Sequence, residues 1–555
     1  MGARLLILGL DGATFDVLDP LFAVGALPAL AALAQRGWRT ELHSTLPVAT
    51  LPAWTSFLTG TAPAVHGVTD LLLRVPGSYG LRPATAADRG AETFLWRLAR
   101  RGLAVAALGV PGTYPPESYA DGICVPGFDA PGAARVRADG IWPPALAGRL
   151  ESLGGWRYAT FNEHGPASER LRRAAPALIE DLERKERVIL DLYRSRAWDL
   201  FFVHLQAADT AQHHLWHTHD RASPRAAHPE LASAVADVWR RIDAVVARLL
   251  RETDPDARIL AVSDHGMGGA ADVAVHLNRF LAHEGLLRFA AAAAPRAAGA
   301  ALRAGLARLP KEVVGAVVQR LPRALLAPLF SLSHHAAIDF GGTLAFSDEL
   351  DYAPSVWLNL AGHFPSGTVD ERQAEPILRR VEAGLSALRD PATGRQLIAR
   401  VHRRADLPAG PYRFRAPDLT IEPAWESGYR ASFLASRGPG PAVRVLDARE
   451  HDAAKGAGLP GVHKREGIFI AAGKGLSPLE LPPLQIHQAG ALVFPLLDQP
   501  IPQALKAALP GFTGELLPVE TEATPAAAPE AALEHPAAAD QRQTLEQLRA
   551  LGYLD

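Results

Sequence analysis

Helical and strand-like patterns alternate along most of this chain of 555 residues. The apolar run "LLILGL" at residues 5–10 predicts a buried strand, and residues 27–36 predict a helix that ends at Gly37. Further along, the amphipathic stretch "PELASAVADVWRRIDAVVARLLRET" leads directly into "ARILAVSDHG". Repeated alternation of this kind is typical of a mostly parallel sheet that helices cover on both faces. The sequence therefore predicts an α/β protein with a central sheet between two helical layers.

Acidic residues follow three of the predicted strands at the point where each strand ends. Asp11 follows the first strand, Asp209 lies just beyond "LFFVHLQ", and Asp264 with His265 follows "ILAVS". In an open α/β sheet, ligands bind outside the carboxyl ends of the strands. A buried Asp-His pair is also costly without a cation or hydrogen-bond partners. We therefore expect these side chains to contribute to one site at this edge of the sheet.

The composition limits the partners of the chain. Lys and Arg number 57 and Asp and Glu number 59, so a formal net charge of -2 offers no overall attraction to a nucleic acid duplex or an anionic membrane. The only cysteine, Cys124, excludes an intramolecular disulfide and a cysteine-based zinc site. No uninterrupted apolar run approaches the roughly 20 residues of a membrane span. We expect a cytoplasmic protein that does not span a membrane.

Histidines near the acidic residues have the spacing of metal ligands. In "ADTAQHHLW", Asp209 and His213 are four residues apart, so on a helix both would share one face and could hold one cation. His463 lies in a predicted glycine-flanked loop, "GVHKREGIF", whereas His217 and His219 are interpreted as exposed polar side chains. One further donor, a threonine hydroxyl, completes a set sufficient for two divalent ions with open coordination positions. The full set is Asp11, Thr50, Asp209, His213, Asp264, His265 and His463.

The threonine in "LPVATLPAWTSFLTG" has two interpretations. Thr50 directly precedes a predicted helix that ends near Gly60, and threonine is a good N-cap residue. A threonine hydroxyl beside a bound cation is instead a nucleophile, because the cation stabilises its alkoxide. The local stretch alone favours the N-cap, whereas the set of metal donors elsewhere in the chain favours the nucleophile.

Taken together, the motifs resemble those of the type I phosphodiesterase/nucleotide pyrophosphatase family, within the alkaline phosphatase superfamily. The matching elements, in chain order, are "LGLDG", "TLPAWTSFLTGTAPAVHGV", "DTAQH", "SDHGM", "GVHKREGIF" and the terminal "LRALGYLD". Their order resembles that of the family from residue 1 to about 270 and again from about 340 to 515. Each motif is short, but the ordered set is specific. The resemblance implies a three-layer alkaline-phosphatase-like core, with a central mostly parallel sheet between helices.

The resemblance also implies a role for each member of the donor set. The residues that match the ligands of one metal ion are Asp209, His213 and His463. Those that match the ligands of the second ion are Asp11, Asp264 and His265, together with the nucleophile Thr50. The family usually uses zinc, and manganese in some branches. Mixed imidazole and carboxylate ligands suit zinc without excluding manganese.

The reaction implied is hydrolysis of a small-molecule phosphoester, as in a phosphodiesterase or nucleotide pyrophosphatase. Thr50 would attack phosphorus in line and form a phosphothreonine intermediate, with two metal ions on either side of the displacement. Two alternatives stay open. One is a phosphomonoesterase, or a phosphotransferase such as a phosphomutase, of the same superfamily. The other is a non-catalytic scaffold that metal ions stabilise.

The stretch after Thr50 departs from many relatives at Ala53. Many nucleotide pyrophosphatases carry asparagine where this chain has Ala53, so a donor to the phosphoryl group is missing there. Trp54 is interpreted as an indole donor, as an apolar wall for the leaving group or as a buried core residue, and the core residue is favoured. A sulfatase would need Cys or Ser at position 50 and Arg at position 54, which this chain lacks.

The patterns also predict how the chain is divided. Residues 1–287 are predicted as the first part of the catalytic α/β core and residues 339–515 as its second part. Residues 288–338 between them read as a helical insertion or cap, through which a homo-oligomer could form. An Ala/Pro-rich linker is predicted at 516–540, followed by a docking helix at 541–555.

Overall fold

The computed structural model describes residues 2–131, 138–159, 167–290, 337–452 and 458–509, together with residues 335, 540, 541 and 543–545. The strands, in chain order, are β1 (Gly2–Leu10), β2 (Trp38–His43), β3 (Leu72–Arg74), β4 (Leu81–Pro83), β5 (Val105–Val110), β6 (Gly122–Pro126), β7 (Ala197–Leu205), β8 (Arg258–Val262), β9 (Gly266–Val275), β10 (Ala345–Phe346), β11 (Ser355–Leu358), β12 (Ile398–Arg403), β13 (Leu419–Pro423), β14 (Tyr429–Phe433), β15 (Val443–Val445), β16 (Gly461–Lys464), β17 (Glu466–Gly473), β18 (Leu479–Glu480) and β19 (Leu484–Gln485). The helices are α1 (Phe15–Ala23), α2 (Pro28–Arg36), α3 (Thr50–Thr59), α4 (Pro63–His66), α5 (Phe94–Arg100), α6 (Leu146–Ser152), α7 (Ala167–Arg194), α8 (Ala207–His219), α9 (Ala234–Glu252), α10 (Leu277–His283), α11 (Glu371–Ser386) and α12 (Ile486–Leu496).

The central sheet has nine strands. Eight of them follow the order β18-β2-β17-β8-β1-β7-β5-β6, and β19 also pairs with β2. Parallel pairing joins β1 to β7 and β8, and β5 to β6 and β7. Strand β17 runs antiparallel to both of its neighbours, β8 and β2. The predicted mostly parallel central sheet is therefore confirmed, with one antiparallel strand inserted near one side.

The first strand shows why the sheet is covered on both faces. Leu6 and Leu8 belong to a hydrophobic cluster with α1, α2, α7, α8 and α9, whereas Leu5 and Ile7 belong to a cluster with α3, α5 and α12. Successive side chains of a strand point to opposite faces, so an uninterrupted apolar strand needs a layer on each side. The result is the predicted three-layer α/β core.

The segment 339–515, expected to return to the core, first builds two smaller sheets. Strands β10, β11, β13 and β12 form a separate sheet of four strands. Side chains of this sheet and of α11 share a hydrophobic cluster that is separate from those of the central sheet. A second small sheet has the order β14-β9-β15, with β16 also paired to β9. The central sheet resumes only at β17. Apolar strand patterns in the sequence do not say which sheet a strand joins, because that depends on pairing between distant segments.

Several predicted segments lie mostly outside the described residues. The helical insertion at 288–338 is one of them, although its two ends meet, since Phe289 and Ile338 form an isolated bridge. The linker at 516–540 is another. Of the docking helix at 541–555, only residues 541 and 543–545 are described; Thr544 is buried and Leu545 packs against the core. Oligomer formation through the insertion stays a prediction.

None of the described helices alone is both long enough and apolar enough to cross a bilayer. Helices α1 and α2 meet the length and composition criteria only as a pair, and they are bent by 105° relative to each other.

Candidate active site

Three adjacent strands bring the predicted acidic residues to one edge of the central sheet. Strands β8, β1 and β7 are neighbours, and their carboxyl ends lead to Asp264, Asp11 and the first turn of α8, which carries Asp209. All three carboxylates are at most 1% exposed. Gly12 makes the turn possible, because its φ is +67° and a Cβ there would lie 3.1 Å from the Cα of Asp209.

The structure corrects the N-cap interpretation of Thr50. The N-cap of α3 is Ala49, and Thr50 is the first helical residue. Its hydroxyl oxygen lies 3.2 Å from Nε2 of His265 instead of capping the helix. At the other end, Gly60 closes the helix at a φ of +67°, as the sequence predicts. Tertiary contacts therefore set the position of the Thr50 hydroxyl, because Ala49 and not Thr50 is the N-cap residue.

Around Thr50, one group of donors consists of Asp11, Asp264 and His265. Nε2 of His265 lies 3.1 Å from Oδ2 of Asp264 and 3.6 Å from Oδ1 of Asp11. Every one of these side chains is fully buried. The three ligand atoms lie within 4.8 Å of one another, which is compact enough to surround one cation.

A second group lies beside the first and contains Asp209, His213 and His463. Oδ1 of Asp209 is 3.3 Å from Nε2 of His213 and 3.7 Å from Nε2 of His463. The two imidazole Nε2 atoms are 2.9 Å apart. His265 joins the two groups, because its ring stacks on that of His463 with a centroid separation of 3.7 Å. All seven predicted side chains are therefore brought together.

The backbone orients the three imidazole rings. Nδ1 of His213 donates to the carbonyl of Gly461 at 2.7 Å, and Nδ1 of His463 donates to that of Val48 at 2.9 Å. Nδ1 of His265 likewise lies 3.0 Å from the carbonyl oxygen of Gly266. A carbonyl oxygen only accepts, so each Nδ1 carries the proton and each Nε2 presents a lone pair to the site. This is the arrangement that metal-binding histidines adopt.

His463 lies in a strand and not in the predicted loop. Residues Gly461–Lys464 form β16, in which His463 pairs with Met267 of β9. Strand β16 approaches α8 so closely that a Cβ at Gly461 would lie 2.1 Å from the carbonyl oxygen of Gln212. Only glycine allows this approach, which places His463 next to His213.

The charges of the site favour bound cations. Burial, followed by the charge of Asp209, raises the pKa of Asp11 well above its ordinary value. Burial and the charges of Asp11 and Asp209 do the same for Asp264. Burial also lowers the pKa of His265 to about 3. This ring is therefore neutral at pH 7 and does not offset the negative charge of the carboxylates. Oδ1 of Asp11 and Oδ2 of Asp264 are buried with no hydrogen-bond partner among the described residues. Carboxylates and imidazole lone pairs held this close fit divalent cations.

His204 supports the site although the sequence interpretation did not include it. It lies in β7, is 1% exposed, and its Nε2 is 2.8 Å from Oδ2 of Asp11. Burial lowers the pKa of His204 to about 3, so the ring is neutral and donates Nε2–H to the carboxylate. The only signal in the sequence is a histidine inside the apolar strand "LFFVHL". Its partner, 193 residues away, becomes visible only in the folded chain.

Trp54 and Ala53 belong to the core. Trp54 is fully buried and packs edge-on against His204, with a centroid separation of 5.1 Å. It also contacts Phe57 and Phe202 in the same cluster, as expected of a core residue. Ala53 is likewise buried, and its amide donates to the carbonyl of Ala49 at 3.1 Å.

The sequence interpretation of His217 was wrong. Instead of being an exposed polar side chain, His217 is 1% exposed, whereas His219 is partly exposed. Helix α8 packs against α7 and α9, and position 217 follows Asp209 and His213 at intervals of four residues on the same face. Asp209 and His217 are buried and His213 is partly buried, which an isolated histidine-rich stretch does not reveal.

Fold and site together define an α/β protein with clustered carboxylates and imidazoles at the carboxyl edge of its sheet. The sequence matches the model of the type I phosphodiesterase/nucleotide pyrophosphatase family over residues 5–434. The chain belongs to this family. The family is a group of metal-dependent phosphoester hydrolases, so membership supports hydrolysis of a phosphoester as the reaction class. No curated protein sequence matches the chain.

Two solved structures are among those to which the chain is similar. Phosphonoacetate hydrolase from Sinorhizobium meliloti 1021, in complex with phosphonoacetate, has a TM-score of 0.49 and 17% identity over 87% of this chain and 93% of that chain. Human ectonucleotide pyrophosphatase/phosphodiesterase 5 has a TM-score of 0.46 and 12% identity over 90% of this chain and 96% of that chain. Similarity at this level assigns neither a substrate nor the role of a residue.

Replacing His204 tests whether it positions Asp11. In His204→Phe, the Asp11 carboxylate loses its donor, and we expect metal affinity and kcat/KM each to fall roughly 10- to 100-fold. His204→Gln retains an N–H donor and should lose less. Isothermal titration of the metal-free protein with zinc measures the affinity.

The matched control for this prediction is His66→Phe. His66 is also fully buried, and its Nε2 lies 2.9 Å from Oγ of Ser56, outside the donor set. This variant should cost stability but bind zinc like the wild type. Equal zinc affinity in His204→Phe and the wild type would remove His204 from the supporting contacts of the site.

Proposed function

We propose that this protein is a two-metal phosphoester hydrolase of the phosphodiesterase type, with Thr50 as its nucleophile. The observation that carries the proposal is the position of the Thr50 hydroxyl. It lies 3.2 Å from Nε2 of His265, at the start of α3 and beside the group that contains Asp11 and Asp264. A purely structural metal site closes its coordination sphere and needs no hydroxyl beside it.

The donor set divides between two cations. Asp11, Asp264 and His265 would hold one ion beside Thr50. Asp209, His213 and His463 would hold the other. Two imidazoles and one carboxylate at the second position favour zinc, and manganese is the alternative. Bound there, the two cations would stabilise the Thr50 alkoxide, the leaving oxygen and the hydrolytic water.

Helix α3 would hold the phosphoryl group for the attack. The amides of Thr50 and Leu51 lie in its first turn, where no preceding turn supplies an intrahelical acceptor. Pro52 has no N–H, and the amide of Ala53 already donates to Ala49. The amides of Thr50 and Leu51, together with the positive end of the helix dipole, suit phosphoryl oxygens. They provide donors despite the alanine at position 53.

The chemical steps use the Thr50 oxygen twice. Oγ1 of Thr50 gives up its proton to solvent water, attacks phosphorus and forms an O–P bond as the bond from phosphorus to the leaving oxygen breaks. The proton that the leaving oxygen gains comes from solvent water. Water then attacks the phosphorus of phosphothreonine, releases the phosphate product and restores the Thr50 hydroxyl. The anchored Nδ1 atoms of His213, His265 and His463 hold the rings in place through both steps.

A comparison of substrates tests the proposed reaction. Aryl phosphate diesters, aryl phosphonate esters and aryl phosphate monoesters are compared at equal concentration, with either zinc or manganese added to the metal-free protein. We expect diesters to be hydrolysed with the highest kcat/KM and zinc to support the higher rate. Release of the aryl alcohol gives the initial rate directly.

Each other outcome of this comparison has a definite meaning. A preference for monoesters would contradict the phosphodiesterase assignment and favour the phosphomonoesterase. Two bound metal ions without hydrolysis of any ester would contradict an enzyme and favour the scaffold.

A further inference from the structure

A second cluster of metal donors lies outside the candidate active site. It consists of His217 on α8, His228 in the loop before α9, and Asp452 beyond β15, and we call it the outer histidine site. Nε2 of His217 is 3.0 Å from Oδ1 of Asp452, and Nε2 of His228 is 3.0 Å from Oδ2 of the same carboxylate. The three donor atoms lie within 4.8 Å of one another.

We propose that the outer histidine site binds a third divalent cation, with zinc as the metal that its donors fit best. Two imidazole nitrogens and one carboxylate oxygen are ligands that zinc prefers, and no cysteine is needed. Three protein ligands leave one position of a tetrahedral ion for water. The site is distinct from the active site, because His217 follows His213 by one helical turn, or about 6 Å along the axis.

Further contacts hold His228 and Asp452 in place. Nδ1 of His228 lies 3.5 Å from Oε1 of Glu230, as metal-binding histidines often face a carboxylate through their second nitrogen. His228 has a φ of +53°, an uncommon conformation for a residue other than glycine. The backbone carbonyl of Asp452 accepts a hydrogen bond of 2.6 Å from Arg170 of α7. Segments far apart in the sequence thus converge on one point.

The position of the site indicates what the cation would do. His217 is on α8, the helix that also carries Asp209 and His213. A cation shared with His228 and Asp452 would tie this helix to the loop before α9 and to the segment after β15. It would therefore stabilise the helix that supplies two predicted ligands of the active site.

Metal content of the full-length protein tests the proposal. The protein is stripped with a chelator, reconstituted by dialysis against zinc, and measured by inductively coupled plasma mass spectrometry. We expect His228→Gln and Asp452→Asn each to contain one zinc ion per chain fewer than the wild type. The control His219→Gln changes a histidine on the same helix that is outside the cluster, and it should keep the wild-type content.

The outcomes decide between a metal site and an ion-pair cluster. Wild-type zinc content in both variants would overturn the proposal and leave His217, His228 and Asp452 as hydrogen-bonded partners only. Circular dichroism checks that each variant folds. If Asp452→Asn does not fold, His228→Gln carries the test alone, because it leaves the contact between His217 and Asp452 in place. This result does not depend on whether the protein hydrolyses any ester.

Discussion

Thr50→Ala should lose at least about 10⁴-fold in kcat, because no other group can form the covalent intermediate. Its metal content should stay at the wild-type level, since a hydroxyl contributes little to binding compared with the charged and imidazole ligands. Thr50→Ser retains a hydroxyl and should keep part of the activity. Initial rates on an aryl phosphate diester and metal analysis of the same samples provide both measurements.

A second threonine on the same helix is the matched control. Thr55 is 1% exposed, and its hydroxyl has no hydrogen-bond partner among the described residues. Thr55→Ala therefore removes a buried hydroxyl of the same type without removing the proposed nucleophile, and its rate should stay near that of the wild type. Near-normal turnover in Thr50→Ala would contradict the phosphothreonine mechanism.

Asp264→Asn should reduce zinc content by about one ion per chain and kcat/KM by at least about 10³-fold. The amide preserves the shape of the side chain but removes the negative charge that a cation needs. The substitution should change the stability of the zinc-bound protein and that of the metal-free protein in opposite directions. With zinc bound, the wild type should have the higher Tm, because binding to the folded state alone stabilises it.

In the metal-free form the order should reverse at neutral pH. The raised pKa of Asp264 means that its charged form is unfavourable in the folded state, mainly because of burial. Below its ordinary pKa of about 3.9, Asp264 is protonated in both the folded and the unfolded protein and costs no stability. As the pH rises from there through the raised pKa, ionisation favours the unfolded state and the metal-free wild type loses stability. Metal-free Asp264→Asn should be more stable than the metal-free wild type at pH 7, and the difference should shrink as the pH falls. Differential scanning calorimetry across this pH range measures both orders.

The control for this prediction is Asp243→Asn. Asp243 is a buried aspartate of α9 that accepts hydrogen bonds from the amides of Ala29 and Leu30. Its replacement should leave zinc content unchanged and change Tm by the same amount with and without zinc, because Asp243 is not among the proposed ligands. Full zinc occupancy with a normal rate in Asp264→Asn would remove Asp264 from the proposed ligands.

Much of the candidate site could be predicted because its parts have local signals. A strand ends where an apolar run meets Asp11 or Asp264, and both ends lie on one edge in any parallel sheet. The shared face of Asp209 and His213 follows from helical periodicity once the segment is a helix, and α8 is one. Such features depend on interactions within a few residues, so the sequence contains them directly.

Other features depend on contacts that no local pattern records. The hydrogen bond from His204 to Asp11 and the burial of His217 arise from packing of β7 and α8. The sheet that each strand after residue 338 joins is likewise decided by pairing. Apolar strands look alike in sequence, whereas their partners lie up to several hundred residues away.

The sequence by itself determined the mostly parallel α/β core, the strand-end carboxylates and the helical Asp209-His213 pair, because each follows from backbone periodicity and burial within one element. Only the tertiary structure decided that Ala49, and not Thr50, caps α3, and that His463 approaches α8 on a strand. The physical reason is steric. Gly461 leaves room for β16 against α8, and the packing of α3 against the sheet turns the Thr50 hydroxyl towards His265.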